Sequence, residues 1–145
     1  MFAKAIKPAS GPKAIGPYSP AIKLGDFVYL SGQIPVDPVT NELVNGDIAQ
    51  QTHQVMQNII TILDEMNLRL DHVVKTTVFL SDMKNFAAMN EVYAQYFEEP
   101  YPARSCVQVG ALPKGADVEI ECLVIDTLRY EQSCSGSCSD CRGCE

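Results

Sequence analysis

The sequence predicts an α+β protein in which two helices pack on a single sheet of about six strands. Three observations predict it. Segments with strand and helix periodicity follow one another in the order strands, helix, strand, helix, strands. Residues 47–66 carry one continuous apolar stripe, and residues 73–80 are apolar on both sides of a strand. The chain has 145 residues, 46% hydrophobic and 20% charged, which allows one domain with a real core and excludes a disordered chain.

In chain order, residues 21–24 and 27–30 are short apolar runs separated by Gly25-Asp26, a two-residue hairpin connection. Ser31-Gly32-Gln33-Ile34-Pro35 reads as a glycine-containing turn following the second strand, and Gly16-Pro17-Tyr18-Ser19-Pro20 as another turn before the first. Glycine at such a place lets backbone groups approach a ligand closely. The first helix starts at Asp47, with Gln50 completing a capping box. Ile48, Val55, Met56, Ile59, Ile60, Leu63 and Met66 then form one face at a period near 3.6. Asn67 is placed to take the left-handed conformation just past the helix end. Residues 73–80 and 118–125 are rich in β-branched side chains, and residues 105–109 form a shorter strand. The second helix follows Ser81-Asp82 with Phe86, Met89, Tyr93, Tyr96 and Phe97 on one stripe, and Pro100 and Pro102 prevent its continuing.

In residues 73–80, Val74, Val78 and Leu80 are expected to point one way and Val73 and Phe79 the other. Two helices cover only one face of such a sheet, so the other face is expected to meet another copy of the chain in a closed cyclic homo-oligomer. The formal net charge of -7, without any block of Lys or Arg, argues against a nucleic-acid binder. No apolar run approaches a membrane span, and the first residues have no signal-peptide core, so a cytoplasmic protein is expected.

The sequence contains no P-loop, G-x-G-x-x-G, H-E-x-x-H or G-x-S-x-G motif. His53 and His72 lack sequence-near partners and read as solvated. Cys106 and Cys122 stand alone in apolar segments and read as structural thiols. Arg104 opens a strand in Pro102-Ala103-Arg104-Ser105-Cys106, where a held guanidinium suits bidentate capture of a carboxylate or an ordinary surface ion pair. Glu119 and Glu121 share one strand face, either solvated or serving a site in which their proximity raises one pKa.

Taken together, Ala14-Ile15-Gly16-Pro17-Tyr18, Ser31-Gly32-Gln33-Ile34-Pro35-Val36, Lys75-Thr76-Thr77-Val78-Phe79, Asn90 with Tyr93 and Phe97, Pro102-Ala103-Arg104-Ser105-Cys106-Val107, Leu112-Pro113-Lys114 and Glu119-Ile120-Glu121 resemble the RidA (YjgF-type) reactive-intermediate deaminases. The resemblance implies a chorismate-mutase-like fold with a single mixed sheet, and a homotrimer with sites between subunits. It implies hydrolysis of enamines and imines (2-aminoacrylate/2-iminopropanoate and 2-iminobutanoate) to 2-keto acids and ammonia. By motif, Arg104 grips the substrate carboxylate, Glu119 positions the attacking water, and Tyr18, Ser31, Gly32, Asn90 and the backbone at Cys106 line the pocket. No metal or organic cofactor is implied for this chemistry. The chain departs from many members in a shorter stretch between Asn90 and Arg104, in Gly110-Ala111 at a more usually basic position, and in Gln108 where Glu is more usual. A non-catalytic keto-acid-binding regulator on the same trimer is the alternative. An RNA-cleaving activity reported for some relatives conflicts with the acidic charge.

The composition changes after Tyr130, so residues 1–130 are read as the domain and residues 131–145 as an appended tail. Cys134, Cys138, Cys141 and Cys144 within it are candidate ligands for zinc or an iron–sulfur cluster, or form a flexible thiol tail.

Overall fold

The computed structural model describes residues 2–134. Six strands form one sheet: β1 (Lys4–Ile6), β2 (Ala21–Leu24), β3 (Phe27–Gln33), β4 (Val73–Leu80), β5 (Ala103–Gln108) and β6 (Val118–Ile125). Their order is β1-β2-β3-β6-β4-β5. Neighbours are antiparallel except β4 and β5, which run parallel because a helical crossover joins them. Among the described residues three α-helices accompany the sheet: α1 (Ile48–Asp64), α2 (Phe86–Tyr93) and α3 (Leu128–Cys134). None among the described residues is long and apolar enough to cross a membrane.

The start and end of α1 follow from its sequence. Asp47 accepts from the Gln50 amide while the Gln50 side chain accepts from the Asp47 amide, so two otherwise orphaned donors are satisfied. Asn67 takes φ 57°, and the Leu68 amide reaches back to the Leu63 carbonyl. Val55, Met56, Ile59, Ile62 and Leu63 are buried against Val28, Leu30, Val78, Leu80, Val118, Ile120 and Val124 of the sheet. Each such side chain contributes about 1.5–3 kcal/mol on leaving water. The β2–β3 hairpin turns at Gly25, whose φ of +60° a side chain would oppose.

The structure differs from the sequence reading at several points. β1 was not anticipated. β3 does not end at Leu30 but continues through Ser31 and Gly32 to Gln33. The α-helical part of α2 stops at Tyr93, and Tyr96 and Phe97 lie in the turn beyond it. In β4, Val73 pairs with Val124 and Lys75 with Leu123, so Val74 is the extra residue of a β-bulge. Val73 therefore faces the helices with Thr76, Val78 and Leu80, while Val74 turns outward on the side of Phe79. That outer face carries the exposed side chains of Phe27, Tyr29, Val74 and Val107, which no element among the described residues covers. The helix α3 spans the expected domain boundary at Tyr130. Cys134 ends it, and Cys138, Cys141 and Cys144, with the expected metal site of the tail, lie outside the described residues.

Candidate active site

The predicted residues fall into two groups on opposite faces of the sheet. The first is built around an irregularity in β3. Leu30 pairs with Cys122 and Gln33 with Ile120, so Ser31 and Gly32 together stand opposite Glu121 alone. The Ser31 amide donates to the Pro20 carbonyl at 3.0 Å and its hydroxyl to the Ser19 carbonyl at 2.7 Å, which ties the bulge to the loop bearing Tyr18. Beyond the bulge, the buried Asn58 amide donates to the carbonyls of Ile34 (3.2 Å) and Val36 (2.9 Å).

Glu119 projects from β6 across this bulge. A Cβ on Gly32 would lie 1.9 Å from Glu119 Oε1, so only glycine leaves room for the carboxylate. A cleft of about 230 Å³ opens there, walled by Ile15, Tyr18, Ile34, Ser31, Gly32 and Glu119. Burial, and secondarily the carboxylate of Glu121 on the same strand face, raise the Glu119 pKa above its ordinary value. A carboxylate so placed is a stronger proton acceptor than a freely solvated one.

The second group lies on the helix side at the sheet's edge. Arg104 on β5 is in register with the buried Thr76. Its Cζ sits 4.6 Å from the Tyr93 ring centroid and 5.7 Å from that of Phe86. No carboxylate among the described residues pairs with it. Cys106 follows on the same face of β5, half-buried against the core. Burial pushes its thiol pKa up, only partly opposed by Arg104, which disfavours the reactive thiolate. Asn90 is half-buried on α2, four residues from Phe86 and three from Tyr93, on the stripe that faces Arg104.

Glu119 is in register with Phe79, and Arg104 with Thr76, on the two sides of β4. Two strand spacings and three residues of rise separate them by about 14 Å, and they point to opposite faces. Within one chain they do not meet. The remaining candidates are occupied elsewhere, and neither histidine is simply solvated. His53 Nδ1 is 2.8 Å from the Tyr96 hydroxyl. His72 is buried, with Nδ1 receiving the Arg69 amide at 3.1 Å and Nε2 3.1 Å from Glu131 on α3. Their partners lie 43 and 59 residues away, beyond local sequence inspection. Cys122 is buried, which pushes its pKa up to about 12. Among the described residues no group of three or more His, Cys, Asp and Glu could hold a metal ion. By sequence Phe86 and Tyr93 are core-stripe residues and Tyr93 is also part of the resembling stretch, and their spacing of seven residues on a helix is the available signal that one side chain lies across both.

Comparison with known proteins places the chain. The family model described as Endoribonuclease L-PSP matches residues 8–126. A RutC family protein of Pyrococcus horikoshii is 54% identical over 114 residues, covering 79% of this chain and 90% of that one. The 2-iminobutanoate/2-iminopropanoate deaminase of Homo sapiens is 43% identical over 125 residues, covering 86% and 91%. The crystal structure of RidA from the Antarctic bacterium Psychrobacter sp. superposes with a TM-score of 0.81 at 46% identity, covering 84% of this chain and 98% of that one. Matched by the family model over residues 8–126 and by relatives of 43–54% identity, the chain belongs to the RidA (YjgF-type) family.

Proposed function

We propose that the protein is an imine deaminase that converts 2-iminopropanoate and 2-iminobutanoate to 2-keto acids and ammonia, in sites formed between the subunits of a homotrimer. The observation that carries this reading is the separation of Arg104 and Glu119. A substrate needing both groups finds them together only where the edge strand β5 of one chain meets the β3–β6 cleft of another. The uncovered outer face with Phe27, Tyr29, Val74 and Val107 supports such an assembly. The deaminase name of the human relative supports the chemistry.

In this reading Arg104 binds the substrate carboxylate through two parallel N–H···O bonds. Asn90 and the β5 backbone at Cys106 line that side. Tyr18, Ser31 and Gly32 line the other, and Glu119 holds a water against the imine carbon. The water adds to the C=N bond as its proton passes to the Glu119 carboxylate. Glu119 returns that proton to the nitrogen to complete the carbinolamine, then takes the proton of its new hydroxyl and passes it to the same nitrogen as the C–N bond breaks, leaving ammonia and the keto acid. An enamine substrate is first protonated on its terminal carbon to reach the imine. Such imines hydrolyse in water unaided, so positioning and one proton relay, worth about 10²–10⁴, are sufficient. The test follows ammonia and keto acid released from freshly generated 2-aminoacrylate by the wild type and Arg104→Ala. A rate in the variant equal to the wild type overturns the assignment. Ligand binding without turnover in the wild type favours a keto-acid-binding regulator instead.

A further inference from the structure

Arg104 is held in an unusual way for a group that must stay charged and available. No side chain or backbone acceptor among the described residues takes a hydrogen bond from its guanidinium. What supports it is aromatic. The Tyr93 ring lies 4.6 Å beneath Cζ, with Phe86 at 5.7 Å. Tyr93 is itself immobilised: it is buried, its ring packs 4.7 Å from that of Phe97, and its hydroxyl shares a 2.8 Å hydrogen bond with the buried Thr76 hydroxyl. Thr76 is the residue in register with Arg104 on the neighbouring strand. The chain therefore closes a loop from Arg104 through β5 and β4 to Thr76, to the Tyr93 hydroxyl, and through the ring back to the guanidinium.

We propose that Tyr93, locked by Thr76, is the positioning residue of the site, holding the Arg104 guanidinium by its ring face so that every N–H donor stays free for the substrate carboxylate. This deepens the deaminase reading and rests on it for its functional consequence. A carboxylate partner would orient the arginine equally well, but it would occupy the donors and compete with the substrate. An aromatic face attracts the cation without using any N–H. A phenol is neutral at neutral pH, and burial raises the Tyr93 pKa further, so the ring does not become a competing anion.

The test has a kinetic and a spectroscopic arm. In the full-length protein, Tyr93→Leu is expected to lower kcat/KM by about 5–30-fold, the span of a partly to fully desolvated cation–π contact. Tyr93→Phe keeps the ring and stays within a few-fold of wild type. In an Arg104→Ala background, Tyr93→Leu should cost nothing further, which a merely structural role would not produce. The second arm needs no destabilised variant. The Arg104 Nε–H proton resonance, assigned by its disappearance in Arg104→Ala, should be displaced upfield in the wild type by the Tyr93 ring current. A full additional loss in the Arg104→Ala background, no loss in Tyr93→Leu, or an undisplaced Arg104 resonance overturns the proposal. If the wild type hydrolyses no imine, the deaminase reading fails separately, and the resonance position still decides whether Tyr93 holds Arg104.

Discussion

Substituting Gly32 by alanine separates the site from the fold. The added Cβ would lie 1.9 Å from Glu119 Oε1, 2.7 Å from its carboxyl carbon and 3.0 Å from Cγ. Ordinary contact lies near 3.5 Å, so the carboxylate must retreat by about 1.5 Å. What moves is the end of a flexible side chain, and the reduced freedom of the unfolded chain offsets part of the crowding. A net destabilisation of about 1 kcal/mol is expected. In the proposed mechanism the water positioned by Glu119 moves with the carboxylate, and a displacement of that size costs about 10²-fold or more in rate. Urea denaturation should therefore find a folded protein, while 2-aminoacrylate hydrolysis falls to the level of Glu119→Gln. Combining both substitutions should add little, because both remove the same group. A Gly32→Ala protein within twofold of wild-type kcat/KM would refute the role given to Glu119.

Other consequences are equally specific. Arg104→Ala should lower kcat/KM by about 1.5–3 kcal/mol, roughly 10–150-fold, read from initial rates of keto-acid release. The raised Glu119 pKa means the folded state holds that proton more tightly than the unfolded chain does. Its contribution to stability is present below the unfolded value and is lost as pH rises through the folded value. Glu119→Gln should thus melt above wild type at neutral pH, with the difference closing on acidification. The wild-type rate should fall as pH drops through the same raised value. Asp47→Ala removes the α1 cap and should cost about 1 kcal/mol in urea denaturation without altering kcat/KM.

What the sequence made legible was what local physics determines. The Asp47–Gln50 capping box, the left-handed Asn67, the Gly25-Asp26 hairpin and the paired faces of Glu119 and Glu121 each depend on residues a few positions apart. What it hid depends on pairing partners. Val74 is indistinguishable from its neighbours until β6 is laid beside β4 and leaves it without a partner. Ser31 and Gly32 look like a turn because a glycine after an apolar run usually is one, whereas here the glycine makes room for Glu119 inside a continuing strand. The burial of His72 needs Glu131, and the support of Arg104 needs Tyr93, neither of which lies near in sequence. Motif names the candidate residues, but the placing of Glu119 and Arg104 on opposite faces of one sheet emerges only from the register.

That division sets the most direct test of a site shared between chains. Arg104→Ala and Glu119→Gln chains, each strongly impaired alone, are mixed in equal amounts, denatured and reassembled together, and assayed on 2-aminoacrylate against each variant by itself. If each site takes Arg104 from one subunit and Glu119 from its neighbour, about a quarter of the randomly assembled sites contain both intact groups. Activity should recover to about a quarter of wild type. Recovery of none, with trimers demonstrably mixed, would contradict the account.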